Sequence, residues 1–232
     1  MRIREKAILD LIPEDLRPFD AVIDCFGVWR EEDAEQHTAT LLHLAGILAG
    51  SGIPLLVVGG AGGLWADGTH TSRFHESTGF PREMRVVSAA QARSYDALAA
   101  YAGTQEQNLS AQAEPQRELP SSPVQPLRGS SAPTVQPHGD APSASMDTHD
   151  AGREQAHGEV WYLYLCPNGL FLPDAPRTGS YLLAGEEIVP SPGAEPPLHA
   201  VSYADFACAL LDLAEAGIPR SCRLSVYHGE PY

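Results

Sequence analysis

The sequence predicts an α/β fold built on an open, mostly parallel sheet with flanking helices. Residues 20–27 and 53–60 have the continuous apolar pattern of strands that are buried on both faces. A segment with helical spacing separates them, so strand, helix and strand form a βαβ unit of about 40 residues, with parallel strands and a right-handed crossover. The length of 232 residues and the 43% hydrophobic content permit one large domain with a sizeable core.

The first two predicted helices lie in the N-terminal half. The acidic cluster Glu31–Asp33 suits the positive end of a helix dipole, and the helix that comes after it ends at Gly50. A second helix is predicted over residues 88–102, where Ser88 and Gln91 have the spacing of a capping box. This helix comes after the second strand, as the alternation of strands and helices requires.

Three further elements are predicted near the C-terminus. Residues 159–167 have the composition of a strand that ends at Pro167. Ser202 and Asp205 form a capping box in front of an amphipathic helix, so we assign Asp205 to helix capping and not to acid–base chemistry. Residues 222–227 supply a last strand.

A long insertion divides the chain into a first folded part, residues 1–103, and a second, residues 158–232. The intervening residues 104–157 contain 7 of the 20 prolines and no Phe, Trp, Tyr, Ile or Cys. Such a segment cannot bury enough apolar surface to offset its ordering entropy, so we predict a disordered insertion.

Charge and cysteine content restrict the class of protein. The 15 basic and 30 acidic residues give a net charge of −15, and Lys6 is the one lysine. This charge disfavours a general nucleic-acid binder and a protein held electrostatically on anionic lipid. The sequence has no apolar run long enough for a membrane helix and no signal-peptide core, so we expect a cytoplasmic protein. The four widely spaced cysteines favour free thiols over disulfides.

The glycine-rich run 59–63 comes directly after the second predicted strand. Ligands of open α/β sheets collect at the carboxyl ends of strands, and glycines there let the backbone come close to them. The run does not fit G-x-G-x-x-G, because Trp65 stands where the last glycine would be. A nucleotide-facing loop and a tight turn without a ligand are both consistent with it.

Five segments in order, FDAVIDCFG, LLVVGGAGGL, CPNGLF, RTGSYLLAG and VSYADFACALLD, resemble the atypical short-chain dehydrogenase/reductases. Within this class they are similar to the NADH-flavin reductase and NAD(P)-dependent epimerase/dehydratase-like proteins, which are related to the flavin/biliverdin reductase B type. The resemblance covers residues 7–103 and 158–228. It implies a Rossmann fold that binds NAD(P) across the carboxyl ends of its strands.

The resemblance also implies seven cofactor contacts at the ends of three strands. The first two flank the dinucleotide, the next three line the floor of the site, and the last two lie near the nicotinamide. They are Phe26, Gly27, Gly59, Gly60, Ala61, Pro167 and Asn168.

One departure from the family concerns the phosphate loop. The family opens with a strand and a G-x-x-G-x-x-G loop that holds the pyrophosphate. Here the first segment, MRIREKAILDLIPEDL, resembles the family's third strand and the segment after that strand, so we expect an N-terminally truncated fold. The gap in the sheet could be closed by direct pairing, or the sequence could be a fragment or have a mis-assigned start. Binding of NADP or NAD is therefore expected to be weak or absent.

The second departure concerns catalysis. Classical members of the class use a Tyr-x-x-x-Lys pair, but Lys6 precedes every candidate and Tyr95 is followed four positions later by Ala99. The flavin-reductase-like relatives also lack the pair. We therefore assign no catalytic residue, since the nicotinamide and the flavin would carry the chemistry in such enzymes.

The other polar candidates carry weaker signals. His70, His75 and Glu76 share a polar loop, but zinc normally needs three or four converging ligands, so no metal site is predicted. Cys166 precedes Pro167 at a strand end, where the pattern favours a buried structural thiol over a reactive one.

The leading hypothesis is an NAD(P)-binding oxidoreductase-like protein that transfers hydride to a flavin or another planar acceptor. The alternatives are a non-catalytic relative that senses dinucleotide or binds protein, and a truncated remnant without a function of its own. The expected partner is a small molecule, with no nucleic acid and no membrane. The sequence does not fix the acceptor, the choice between NADH and NADPH, or the oligomeric state.

Overall fold

The structure is a computed structural model that describes residues 3, 5–110, 158–191, 198–216 and 221–229. In the stretch 105–110 only the backbone is described. Most of the predicted insertion, residues 111–157, lies outside the described residues.

The described residues form four α-helices, seven strands and five single 3₁₀ turns. The helices are Pro13–Leu16 (α1), Gln36–Leu48 (α2), Arg85–Ser110 (α3) and Tyr203–Ala216 (α4). The strands are Val22–Asp24 (β1), Leu55–Val58 (β2), Tyr162–Pro167 (β3), Leu170–Leu172 (β4), Leu182–Ala184 (β5), Ala200–Ser202 (β6) and Cys222–Tyr227 (β7). The 3₁₀ turns are Ile8–Asp10, Glu31–Asp33, Ala61–Gly63, Phe74–Glu76 and Arg82–Met84.

The main sheet has the order β1-β2-β3-β7-β5. The first four strands are parallel, and β5 pairs antiparallel with β7 at the edge. A separate parallel pair joins β4 and β6. The predicted βαβ unit is confirmed, because β1 and β2 are parallel neighbours joined through α2. The architecture is the Rossmann-like, mostly parallel α/β sheet that the sequence predicts.

Apolar side chains fill both faces of the sheet, as expected for parallel strands. Leu55 and Val57 point to one face and pack with α2 and α3 residues such as Leu41 and Leu98. Leu56 lies on the other face in a cluster that includes α4 residues. Alternation along β2 therefore sends successive leucines into two separate cores.

Helix α3 differs from the prediction at both ends. It begins at Arg85, so Ser88 lies inside it, buried, and does not cap it. It also continues to Ser110, through residues 104–110 that composition assigns to the insertion. This stretch contains no Pro or Gly, and the first proline beyond it is Pro115, so nothing in its composition ends the helix.

Other boundaries are also corrected. The described part of the segment MRIREKAILDLIPEDL holds the turn Ile8–Asp10 and α1 instead of a strand, with Pro13 at the start of α1. The acidic residues of Glu31–Asp33 form a 3₁₀ turn, and α2 begins only at Gln36. In contrast, β7 has the predicted bounds.

The capping box in front of α4 is supported by the structure. The Asp205 backbone N–H donates to Ser202 Oγ at 2.9 Å, as a cap of the first helical turn requires. The Asp205 carboxylate, which is fully buried, also accepts hydrogen bonds from the Thr178 and Gly179 backbone N–H groups at 2.9 and 2.7 Å. Asp205 therefore joins α4 to a distant loop as well as taking part in the cap.

Candidate functional site

The seven predicted site residues lie at one end of the main sheet. Phe26 and Gly27 come after β1, the 59–61 loop comes after β2, and β3 ends at Pro167 with Asn168 next in the chain. Since β1, β2 and β3 are adjacent and parallel, these three loops are neighbours at the carboxyl ends of the strands. Whether the residues contact a cofactor stays a prediction.

The loop after β1 is anchored by a buried carboxylate. Asp24 is 8% exposed, and its Oδ1 accepts a hydrogen bond from the Phe26 backbone N–H at 2.9 Å. Burial raises the pKa of Asp24 above its ordinary value, and the hydrogen bond from Phe26 opposes this shift. Gly27, the next residue, is exposed and has open space where a side chain would stand.

His37 lies in the first turn of α2, behind this loop. Its side chain is 5% exposed, and its ring meets the Phe26 ring edge to face at a centroid distance of 5.7 Å. Burial lowers the pKa of His37, and a hydrogen bond with the Val28 backbone opposes this shift in part. Nε2 of His37 is buried and has no hydrogen-bond partner among the described residues. A buried polar atom of this kind costs about 1–3 kcal/mol.

Close packing leaves no room for a side chain at several positions of the glycine run after β2. A Cβ on Gly59 would overlap the Tyr164 ring and lie 2.7 Å from Cys166 Sγ. At Gly60 and Gly62 a Cβ would overlap α3 side chains, and for Gly62 the distance to Ser88 Cβ is 2.7 Å. Glycine is thus required at Gly59 and Gly62 because the sheet and α3 approach the loop closely, whereas at Gly60 the overlapping atom is the flexible end of Gln91.

Asn168 is buried, and its side-chain amide makes three hydrogen bonds. Both N–H donors and one of the two lone pairs of Oδ1 are used. Its Nδ2 donates to Glu187 O and to Ser225 Oγ, each at 2.8 Å, and its Oδ1 accepts from Val189 N–H at 2.8 Å. The side chain is 1% exposed. Asn168 therefore holds the segment after β5 against β7, and its amide has no donor left for a ligand.

Comparison with known proteins agrees with this geometry. No protein-family model matches the chain. A Streptococcus pneumoniae structure described as a "putative NADH-flavin reductase" superposes with a TM-score of 0.63 at 26% identity, covering 96% of this chain and 78% of that one. This similarity supports the resemblance of the chain to the NAD(P)-dependent epimerase/reductase-like proteins.

Two further relatives extend the comparison. A structure from Bacteroides thetaiotaomicron, described as a "putative epimerase", has a TM-score of 0.60 at 17% identity, and the match covers all of this chain and 82% of that one, a likeness of fold alone. The uncharacterised protein YwnB of Bacillus subtilis is 24% identical over 213 residues, which span 92% of this chain and 72% of YwnB.

A pair of arginines that sequence reasoning missed holds the loop after β2. Arg73 Nη1 and Arg223 Nη1 both donate to Gly63 O, at 2.7 and 3.0 Å. Arg223 also forms an ion pair with Glu186, and Arg73 pairs with Asp96 at 2.7 Å. The two cations come from residues 150 positions apart in sequence, so no local motif could reveal them.

Aromatic rings accompany both arginines. The Arg73 guanidinium lies 3.7 Å from the Trp65 ring centroid, and that of Arg223 lies 4.0 Å from the Tyr95 ring centroid. Burial raises the pKa of the Tyr95 hydroxyl, with a smaller contribution from Glu186. Tyr95 packs against Tyr164 and has no lysine near it in the sequence, so we assign it to packing.

Each polar candidate in the loop after β2, His70, His75 and Glu76, has a hydrogen-bond partner within the protein. His70 Nε2 lies 2.5 Å from a Glu187 carboxylate oxygen, His75 Nδ1 lies 2.8 Å from Gly62 O, and Glu76 accepts a hydrogen bond from Arg73 N–H. Within the described ranges, no three His, Cys, Asp or Glu side chains lie close enough to hold a metal ion.

All four cysteines are free thiols, and Cys166 is buried beneath the glycine run. Burial raises the pKa of Cys166 to about 12, which suits a structural thiol. The exposed Cys25 also has a raised pKa, from desolvation and the neighbouring Asp24 charge, so it is not an activated nucleophile. No described helix is long and apolar enough to cross a bilayer.

Proposed function

We propose that this chain is an NAD(P)-binding oxidoreductase that transfers hydride to a flavin or another planar acceptor. The observation that carries the proposal is the meeting of three strand-end loops, after β1, β2 and β3, at one end of a parallel sheet. The similar Streptococcus pneumoniae protein, described as a "putative NADH-flavin reductase", supports the choice of reaction.

The residues present fit one half of the cofactor better than the other. Beside Phe26 and Gly27 the chain offers an aromatic ring and open space, which suit a nicotinamide. At Gly59, which the resemblance places on the floor of the site, the space for a Cβ is instead taken by Tyr164 and Cys166.

The protein's own contribution is therefore positional. A bound nicotinamide supplies the hydride, while Phe26 and Gly27 provide a surface against which a flat ring can lie. The high acidic content does not attract an anionic cofactor, so we expect weak binding of NADH and NADPH, with dissociation constants near millimolar.

The test is a calorimetric titration of the wild type and of Gly27→Val with NADH and NADPH up to about 10 mM, well above a millimolar dissociation constant. Gly27 has open space and an ordinary backbone conformation, so valine leaves folding intact but occupies the ligand's place. We expect valine to weaken binding at least tenfold. Gly46→Ala, an equally open position inside α2, is the matched control and should bind like the wild type.

Two results would contradict the proposal. One is no binding of either dinucleotide by the wild type together with no NADH-dependent reduction of flavin above background. The other is identical binding by the wild type and Gly27→Val. The first result would favour the alternative, a relative that binds protein and performs no chemistry, and the second would show that the dinucleotide does not bind beside Gly27.

A further inference from the structure

The outer edge of β1 is a feature that the proposed reaction does not use. β1 is the first strand in the order of the main sheet, so β2 pairs with one side of it and no described strand pairs with the other. On the inner side, the Val22 N–H donates to Pro54 O at 3.0 Å. Because successive residues of a strand direct their N–H and C=O groups to opposite sides, those of Ile23 point to the open edge.

The side chain of Ile23 is also exposed. Its register partner Leu56 is fully buried in the cluster on the α4 side of the sheet. Ile23 points to the same face, because paired residues of neighbouring strands do so, yet it is 44% exposed. Parallel sheets are normally covered on both faces, and the described residues leave β1 open on the α4 side as well as at its edge.

Large apolar side chains are exposed in the segments on both sides of β1. They are Leu9, Ile12, Phe19 and Trp29, with exposures between 49 and 74%. Helix α1 lies beside the strand, because Leu16 packs in the same cluster as Val22. Together with Ile23 the exposed side chains present roughly 600 Å², more than the apolar share of the about 800 Å² that each partner contributes to a standard interface. This area is sufficient for a stable dimer.

A second copy of the chain can cover the edge and the apolar side chains together. A two-fold axis that passes beside Ile23, perpendicular to the sheet, places two β1 strands side by side and antiparallel. The two Ile23 residues then exchange N–H···O=C hydrogen bonds, and their side chains lie next to each other on the same face. A single peptide strand would pair with three residues of β1 and leave Phe19, Trp29 and α1 exposed.

The charges around β1 permit this register. Asp24 falls opposite Val22 of the second copy, and Asp20 falls opposite Phe26, so no two like charges face each other directly. Residues 19–29 contain no lysine or proline, the residues that commonly prevent edge strands from pairing. The net charge of −15 on each copy opposes association, so we expect the dimer to tighten as salt screens this repulsion.

We propose that the protein is a two-fold symmetric dimer in which the β1 strands of two copies pair antiparallel about Ile23. The two five-stranded sheets then form one continuous sheet. The inference does not depend on the proposed function, because no ligand takes part in it.

The first test is sedimentation equilibrium of the full-length chain from about 1 to 200 µM, in about 0.15 and 0.5 M salt. We expect a mass near twice the 24.9 kDa of one chain at the highest concentration, and a smaller dissociation constant at the higher salt. A mass of 24.9 kDa at every concentration and in both buffers would overturn the inference.

The second test places a charge at the centre of the pairing. Ile23→Lys should raise the dissociation constant of the dimer at least tenfold, whereas Ile23→Val keeps an apolar side chain and should stay within about threefold of the wild type. Leu182→Lys is the matched control, since Leu182 is 37% exposed on β5, the opposite edge strand. A folded Ile23→Lys protein that dimerises like the wild type would overturn the inference. Circular dichroism melting curves establish whether each variant is folded.

Hydrogen exchange tests the pairing without a substitution. The Ile23 N–H gains an acceptor in the dimer, so its exchange should slow at least tenfold between dilute and concentrated wild-type protein. The Val22 N–H, bonded to Pro54 O within each copy, should exchange at the same rate in both samples. A dimer whose Ile23 N–H exchanges as fast as in the monomer would overturn the pairing and assign the contact to another surface.

Discussion

Gly59 shows how one residue couples the loop after β2 to the sheet beneath it. A Cβ at this position would lie 2.7 Å from Cys166 Sγ and would overlap the Tyr164 ring, both of which belong to β3. Neither neighbour is the mobile end of a flexible chain, since both side chains are buried. The packing of β3 against this loop therefore requires glycine here, whether or not a ligand also binds nearby.

We expect Gly59→Ala to reduce the free energy of unfolding by about 1–3 kcal/mol, the cost of forcing an extra methyl into a packed site. Urea denaturation at neutral pH measures the loss. Gly68→Ala is the matched control, because this glycine is exposed, has no atom within 4 Å of its missing Cβ and should change stability by less than about 0.5 kcal/mol. Equal stability of the two variants would contradict the packing argument.

At the scale of elements, short connections between loops hold the end of the sheet together. Trp65, after β2, exchanges backbone hydrogen bonds with Glu186 O and Ile188 N at 2.8 and 2.9 Å. Asn168, after β3, ties the same 186–189 segment to β7 through Ser225. The loops after β2, β3 and β5 are thus joined into one layer, and this layer borders the candidate site.

We expect Asn168→Ala to destabilise the protein by about 2–4 kcal/mol, because three hydrogen bonds of a buried amide are lost and their partners are left unpaired. Hydrogen exchange of the Val189 amide should accelerate as well, since that N–H loses its acceptor. Gln36→Ala removes an exposed amide that bonds Asp33 and should change stability by less than about 0.5 kcal/mol. An Asn168→Ala protein as stable as the wild type would show that these three hydrogen bonds do not stabilise the fold.

At the scale of the whole molecule, the chain folds from two parts separated by a long insertion. Strand β3 of the second part lies between β2 of the first part and β7, so the sheet is continuous across the insertion. The parts are therefore halves of one fold, and α3 carries the chain from the first half as far as Ser110. All five strands of the main sheet come from the two halves, and none comes from the segment that connects them.

We expect replacement of residues 111–157 by a short Gly/Ser linker to change the free energy of unfolding by about 1 kcal/mol or less, because loop-closure entropy depends only logarithmically on length. The cut is placed after α3 ends, since a cut at residue 104, where the composition changes, would remove the last helical turns. Thermal unfolding of both deletions tests this. Loss of a cooperative transition in the 111–157 variant would show that the segment packs on the domain.

The sequence by itself determined the parallel sheet and the location of the candidate site. Continuous apolar runs around Leu55 and Tyr162 predict buried strands, and Gly or Pro residues where those runs stop mark the strand ends. These signals are local, because hydrophobic periodicity and turn propensity depend on neighbours within a few residues. Short edge elements such as β5 lack that periodicity, so they were missed.

Only the tertiary structure decided what the site residues do. The 59–63 run admits both a ligand loop and a tight turn in sequence, and contacts with β3 and α3 assign Gly59 and Gly62 to packing. Asn168 looks free in sequence, but residues 19 to 57 positions away occupy its amide. His37 looks like one more polar helix residue until burial leaves its Nε2 without a partner among the described residues. Burial and pairing are properties of contacts between distant residues, and no local pattern encodes them.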